Sequence, residues 1–462
     1  MTILENKCLA RGIEAYLDKT FPLKLGVNKK NELIRLIYEI SRGRGRSLDE
    51  VISNAGINRL VADGKNGLFR KVKKTLLEIR YPSLTPAREV RVMPLKTDGI
   101  RDEAPVWDLK LDPKVIFVEK DVRGTEPAKK IIRNFPAAKL TVINNINDVL
   151  RNTNRTDATS VYNTRRDNLV LIKNKSAFIK QCPCSAGCVR CGYMILNIGF
   201  GCPVDCAYCF LQTYSNIPGI VLPVNMGDYA GYITRLDGEV SQKTRIGTGE
   251  FTDSLALDNY TGYAAFLMPL FRKTANLVLE LKTKTCKIDN VMKEDPHENV
   301  VISWSMNTRD MAQRYERGAS GIGARIKAAC EVAHRGYRVG FHFDPMICHD
   351  GWETDYRAIA EELFSHEEIR RRAAWISLGT LRYTPGLKQT AERRFSENLV
   401  FYRGEFFLDV CGKFRYPEEV RIDMYNKMAR WIRSAGAGCW IYLCMEPANI
   451  YRKVTLECKK QM

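Results

Sequence analysis

Three cysteines constrain this chain more than any other feature. Cys202, Cys206 and Cys209 stand in C-x3-C-x2-C spacing within Gly201–Gln212 (GCPVDCAYCFLQ), directly after the apolar run Tyr193–Ile198, which reads as a strand ending in a glycine turn. Three thiolates on one short loop can hold three irons of a 4Fe–4S cubane and leave the fourth iron open for chemistry. Structural zinc asks for four closed ligands, usually from two paired knuckles, so iron–sulfur is the favoured reading.

The rest of the chain is large enough to build a protein around that loop. At 462 residues it exceeds one ordinary core, and two or three domains are expected. No apolar run reaches the length of a spanning helix, so no membrane association is expected. Met1 to Thr20 carries Glu5, Glu14 and Asp18, which does not fit a signal peptide, and a cytoplasmic protein is expected. Fifteen cysteines are then more naturally thiols and metal ligands than disulfides. The formal net charge is +19, and residues 1–100 hold 20 basic against 11 acidic side chains, nearly half of the excess. A field of that sign suits a polyanionic partner, or is simply a basic surface.

Residues 1 to about 95 read as helices. Ser47-Leu48-Asp49-Glu50 is a capping box, and Leu68, Val72, Leu76 and Ile79 recur at helical spacing. The opposite face carries Arg70, Lys71, Lys73 and Lys74, and Arg42 to Arg46 reads as a flexible loop; together they form a candidate phosphate-contacting surface, weighed equally against a solvated face. Val115–Val118, Ala128–Phe135 and Leu140–Ile143 predict a strand-helix-strand unit with a parallel pair. Asn152 to Asn168 is polar and reads as a linker. Strands are expected at Tyr193–Ile198, Thr244–Thr248, Leu277–Lys282, Val300–Ser305, Arg338–Phe343 and Trp375–Leu378, with a later one at Trp440–Cys444, and a helix at Ile322–His334. Repeated strand-helix units give a parallel barrel or open sheet with chemistry at the strands' carboxyl ends. The residues just past those ends are polar: the cluster loop, Glu250, Thr252, Lys282, Lys284, Ser305, Asn307, Asp344 and Arg382.

A second cysteine group, Cys184, Cys188 and Cys191, repeats the C-x3-C-x2-C spacing, and Cys182 makes it a group of four. It precedes the strand that the other group follows. Four thiolates could bind a second Fe–S cluster or a zinc, or they are free thiols near the barrel mouth. His366-Glu367 lacks the second histidine of a zincin helix. His342 and His349 read as hydrogen-bonded pocket residues rather than ligands.

The cysteine loop with an aromatic before its last cysteine resembles the radical S-adenosylmethionine (SAM) enzymes. More narrowly, Val115 to Tyr442 resembles the spore photoproduct lyase family through Gly201–Gln212, Ile246–Ser254 (IGTGEFTDS), Leu279–Lys284 (LELKTK), Ser303–Asn307 (SWSMN), Gly340–Pro345 (GFHFDP), His349–Glu353 (HDGWE) and Gly412–Tyr416 (GKFRY), in family order. The resemblance implies an α/β fold, a partial (β/α)6 radical-SAM barrel over residues 168–446 with a C-terminal basic hairpin region. Before it come a basic helical domain, 1–110, and a small βαβ unit and linker, 111–167; after it comes a tail, 447–462. It implies a 4Fe–4S cluster on Cys202, Cys206 and Cys209, chelated SAM, and one-electron cleavage to a 5′-deoxyadenosyl radical that abstracts a hydrogen atom from substrate. Thr252, Lys282 and Ser305 match positions that hold the cofactor carboxylate, and the strand-end residues Asn307 and Asp344 join them as candidates. Lys413 and Arg415 match a basic hairpin that grips DNA, and Arg382 a basic position near it. The implied partners are DNA carrying a thymine–thymine lesion, extruded into the barrel mouth, and a low-potential donor such as flavodoxin or ferredoxin.

Two positions depart from the family. Glu250 stands where the lyase has the cysteine that returns a hydrogen atom to the product radical, and Phe210 replaces a tyrosine of its radical relay, while Tyr208 is kept. Tyr208 and Glu250 are therefore the candidate catalytic side chains, with Cys286 or Cys348 as substitute thiols. The expected function is a lyase-like radical SAM enzyme acting on DNA. The alternatives are radical modification of another nucleic acid or a protein, and a nucleic-acid-binding Fe–S protein without lyase activity.

Overall fold

The apolar runs that alternate with helices build a curled eight-stranded half-barrel sheet. In the computed structural model, residues 3–21, 25–62, 67–82, 92–95, 111–151, 158–395, 399–409 and 411–456 are described. The sheet runs in the order Trp440–Leu443, Ala373–Thr380, Arg338–Met346, Val300–Ser305, Leu277–Thr283, Thr244–Gly247, Met194–Leu196 and Ile179–Gln181. All neighbours pair in parallel except the last, which is an antiparallel edge. Six parallel strands from Met194 to Thr380 match the expected barrel; Trp440–Leu443 adds a seventh. Near-continuous apolar sequence is what strands covered on both faces require, and Trp304, Trp375, Ile302 and Leu279 are fully buried. Glycine at 247 has a steric reason: a Cβ there would lie 1.8 Å from the Tyr193 hydroxyl, which crosses that strand.

The expected strand-helix-strand unit is present, with Val115–Glu119 parallel to Lys139–Ile143. It belongs to a four-stranded sheet that also contains Asn168–Ile172 and Ile220–Pro223. The stretch read as a linker is thus structured where described: Ala158–Asn163 is helical and Asn168 opens a strand, while residues 152–157 lie outside the described residues.

The chain divides into two compact units. One combines Met1–Asp102 with Arg382–Pro385 and Leu399–Met424; the other holds Glu103–Leu381, Gly386–Asn398 and Tyr425–Met462. In the first, helices Ile3–Thr20, Val27–Arg44, Leu48–Asn54, Ile57–Ala62 and Leu68–Arg80 share a core that includes Ile13, Leu36, Val72, Leu76 and Phe407. The capping box forms as expected, Glu50 N to Ser47 Oγ at 3.2 Å and Ser47 N to Glu50 Oε2 at 2.8 Å. Two expectations are corrected. Arg42 to Arg44 is the last helical turn, closed by Gly45 at φ 59°, instead of a flexible loop. Lys73 is buried in an ion pair with Glu32, so the exposed basic face is Arg70, Lys71 and Lys74.

No helix among the described residues is long and apolar enough to cross a membrane.

Candidate active site

The Gly201–Gln212 loop carries many carbonyls and few regular bonds, so its shape must come from side chains. Arg165 donates through Nε to Cys202 O (3.0 Å) and through Nη2 to Asp205 Oδ1 (2.9 Å). Arg394 donates through Nη2 to both Asp205 oxygens (2.8 and 2.9 Å) and through Nη1 to Gln212 Oε1 (2.6 Å). The fully buried Gln212 then turns its amide nitrogen to the carbonyls of Cys206, Ala207 and Cys209 at 3.1–3.2 Å. Burial alone would raise the Asp205 carboxyl, but Arg165 and Arg394 outweigh it and hold the group ionised. Burial pushes the thiols of Cys202, Cys206 and Cys209 up, and they interact with one another electrostatically. Thiols become ligands as thiolates, so charge separation in this loop comes with a bound cation.

Behind the loop lies a closed charged network. Asp205–Cys206 pairs antiparallel with Glu316–Arg317. Glu316, buried, accepts from Arg325 Nη2 (2.5 Å), Lys284 Nζ (2.8 Å) and the Tyr208 hydroxyl. Burial by itself would raise this carboxyl, yet Arg325 and Lys284 keep it well below the usual range. Lys284 also reaches the Tyr208 hydroxyl at 3.2 Å. Asn307 joins through its own Nδ2, which donates to Glu316 Oε1 at 3.5 Å, and its Oδ1 accepts from the Tyr356 hydroxyl at 2.7 Å. The sequence-predicted Tyr208 and Asn307 therefore sit in one hydrogen-bonded assembly. Arg165, Gln212, Glu316, Arg325 and Arg394 were not expected from sequence.

At the strand ends, Asp253 shapes the Ile246–Ser254 segment. It accepts from Thr283 Oγ1 (2.7 Å), Lys284 N (2.7 Å), Leu255 N (3.0 Å) and Ala256 N (2.9 Å). Gly249 lets this segment press against Lys282, where a Cβ would come within 2.8 Å of Lys282 Cβ. Burial works against the Lys282 charge, but Glu250, Glu280 and Asp344 raise its pKa overall. Its Nζ stands 3.9 Å from Glu250 Oε2. The Thr252 hydroxyl is buried with no hydrogen-bond partner among the described residues, a costly state for a polar group. A charged lysine and an unsatisfied hydroxyl at the strand ends of a thiol-bearing loop are what an amino-acid carboxylate would use. The donor set thus fits the implied cluster and SAM: Cys202, Cys206 and Cys209 could hold the cluster, and Thr252 and Lys282 the SAM carboxylate. Ser305 is buried at the end of the strand that pairs with the Lys282 strand, and its carbonyl accepts from Arg325 Nη1 at 2.7 Å.

Deeper in the sheet, Glu280 accepts from Ser303 (2.7 Å), Trp375 Nε1 (3.0 Å) and His342 Nε2 (2.6 Å). His342 and His349 are hydrogen-bonded, as expected. In the other cysteine group, Cys182, Cys184 and Cys191 line one cavity, while Cys188 pairs its backbone with Pro447 and is absent from the lining. Among the described residues, no three His, Cys, Asp or Glu side chains are already arranged as a metal cage.

The basic hairpin residues lie in the other unit. Arg382–Tyr383 pairs with Phe414–Arg415, which pairs with Phe407–Leu408. Arg415 is buried and donates through Nε to Asp409 Oδ2 at 2.6 Å; Lys413 and Arg382 are half-buried.

A parallel half-barrel with a three-cysteine loop after its first parallel strand and with Thr252 and Lys282 at the strand ends has the radical SAM fold. The family model for spore photoproduct lyase matches residues 111–405, and the chain belongs to that family. Spore photoproduct lyase of Geobacillus sp. is 29% identical over 209 residues, covering 43% of this chain and 60% of that protein. The Bacillus subtilis lyase is 27% identical over 199 residues, covering 42% and 58%. The chain thus spans under two thirds of the curated relatives' length. A solved spore photoproduct lyase variant with bound AdoMet and dinucleoside spore photoproduct superimposes with a TM-score of 0.63 at 22% identity, over 72% of this chain and 100% of that one. It confirms the fold.

Proposed function

We propose that this protein is a radical SAM enzyme of lyase type that acts on DNA, with a pyrimidine photoproduct as the substrate class. The observation that carries the reading is the pairing of the Cys202–Cys209 thiols with the unpartnered Thr252 hydroxyl and the charged Lys282 at the strand ends. When bound, the cluster and SAM supply a hydrogen-abstracting 5′-deoxyadenosyl radical. The chain's own residues prepare for this. Arg165, Arg394 and Gln212 fix the loop carbonyls so that three thiols remain free to ligate. Lys282 and Thr252 orient a carboxylate, and Glu316 with Arg325 and Lys284 anchors the loop through the Tyr208 hydroxyl.

Relatives named spore photoproduct lyase and a neighbour solved with a dinucleoside photoproduct support the substrate class. The basic excess supports a polyanionic partner, and reduction calls for a low-potential donor of the flavodoxin or ferredoxin kind. Glu250 favours a second reading of the outcome: a carboxylate paired with Lys282 cannot return a hydrogen atom as a thiol does, so modification of another nucleic acid or a protein is the alternative. Anaerobic incubation with SAM, reductant and defined photoproduct oligonucleotides, with products weighed by mass spectrometry, tests it. Formation of 5′-deoxyadenosine with restored thymines is expected. Cleavage of SAM that ignores the lesion would leave the alternative; no cleavage would sink both.

A further inference from the structure

We propose that two buried triads, Arg165–Asp205–Arg394 and Lys284–Glu316–Arg325, tune the iron–sulfur cluster that the Cys202–Cys209 loop would hold, their surplus positive charge raising its reduction potential. The inference rests on the cluster reading of that loop and adds what the surrounding charges do to it.

Both triads join the loop at one strand pair. Asp205 and Cys206 face Arg317 and Glu316, so one carboxylate belongs to the loop and the other to the strand beside it. Each carboxylate stands between two cations. Arg165 and Arg394 donate to Asp205 at 2.9 and 2.8 Å, and Lys284 and Arg325 donate to Glu316 at 2.8 and 2.5 Å. All four cationic side chains are more than four-fifths buried. Their other donors meet neutral groups. Arg165 donates to the carbonyls of Tyr162, Cys202 and Val204, Arg394 to Asn163 and Gln212, Arg325 to the carbonyls of Ser305 and Ser320, and Lys284 to the Tyr208 hydroxyl. Among the described residues none of the four pairs with a second carboxylate, so each triad keeps one positive charge.

These charges reach the sulfurs. Burial is the main effect on the thiols and raises them, while Lys284 acts in the opposite sense on Cys206 and Cys209, and Arg165 on Cys202 and Cys209. Asp253 returns one negative charge near Cys202, which leaves four cations against three carboxylates. An uncompensated buried cation is costly, and a loaded loop supplies the compensation. Three thiolates outweigh the charge of an oxidised cubane core, and an added electron makes the assembly more negative still. Net charge around a cluster is one of the quantities that set its potential. The electron comes from a low-potential one-electron carrier, which is oxidised as the cluster is reduced, with no bond made or broken.

The test is an anaerobic redox titration of the iron-loaded full chain, without SAM or DNA, followed by electron paramagnetic resonance of the reduced cluster. Lys284→Met and Arg394→Met each leave a carboxylate with its other partner. Each should shift the reduction equilibrium about tenfold toward the oxidised form, a midpoint about 59 mV lower for one electron. Glu316→Gln removes a negative charge and should shift it the other way, while Lys284→Arg should stay within about threefold of the unmutated chain. Iron analysis and circular dichroism establish that each variant is loaded and folded, with Lys284→Gln and Arg394→Gln used where methionine prevents loading. A merely structural role would open the cluster to solvent and move every variant in one direction. Unmoved potentials in both cation variants, a downward shift in Glu316→Gln, or a fall in Lys284→Arg equal to that in Lys284→Met would each overturn the proposal. An unmutated chain that takes up no cluster would overturn the reading beneath it, a separate failure.

Discussion

An unpartnered buried hydroxyl costs about 1–3 kcal/mol, a cost that the carboxylate proposed above would remove at Thr252. Two substitutions separate binding from folding here. Thr252→Val should leave unfolding free energy in the apo protein unchanged or slightly raised, because no internal bond is lost. It should weaken SAM by about tenfold, the equivalent of about 1.4 kcal/mol within that range. Lys282→Met removes a charge-assisted contact worth about 1.5–3 kcal/mol and should weaken SAM by about 10–100-fold. Calorimetric titration of the cluster-loaded protein checks both, and tight binding by either variant would remove that residue from the carboxylate site.

At the scale of elements, the loop and the Glu316–Arg317 strand depend on one buried carboxylate. Glu316→Gln leaves Arg325 without its charge partner, and breaking a buried pair in this way costs about 3–5 kcal/mol. The pH dependence has a definite sign. Glu316 is depressed below its ordinary value of 4.5, because Arg325 and Lys284 outweigh the effect of burial. Its stabilisation is therefore complete above that value and is lost as the pH falls toward the depressed one. Urea midpoints taken at about pH 7 and about pH 3 should fall for the unmutated chain, with Glu316→Gln showing the smaller drop.

This network also marks where sequence stops being informative. The barrel strands were legible because burial on both faces demands uninterrupted apolar runs such as Val300–Ser305. Asn168–Ile172 was hidden behind a polar stretch, and Ile220–Pro223 is too short and too close to Pro218 and Gly219 to read as a strand. The cysteine triad and the strand-end residues were legible from spacing and position. Arg165, Arg394 and Glu316 were not, because they hold Asp205, Asp205 and Tyr208 from 40, 189 and 108 residues away and no local spacing records that. The one available signal was Asp205 and Gln212, polar side chains inside a loop that must be buried around its thiols.

At the scale of the whole molecule, the chain enters its first unit three times. Glu405, buried there, accepts from Arg80 Nη2 at 3.0 Å and from the Tyr81 hydroxyl at 2.5 Å, tying the N-terminal helices to the 399–424 segment. The region outside the sequence resemblance is thus part of the same unit as the basic hairpin residues. Arg70, Lys71 and Lys74 are its exposed basic face. If all three contact phosphates, replacing them by glutamine should reduce the slope of log affinity against log salt by about 2.7 for duplex DNA. Binding by fluorescence anisotropy at several salt concentrations measures this, and an unchanged slope would assign these charges to the solvated surface.

Gln212 carries one more consequence. Its amide nitrogen meets three loop carbonyls, and its amide oxygen is held by Arg394. The receptacle is therefore shaped by groups that need no iron, and maturation becomes delivery into a waiting mould. Hydrogen exchange should find the amides of Ala207 and Cys209 protected before iron arrives, and Gln212→Ala should slow cluster transfer from a donor scaffold while the final loaded state still forms.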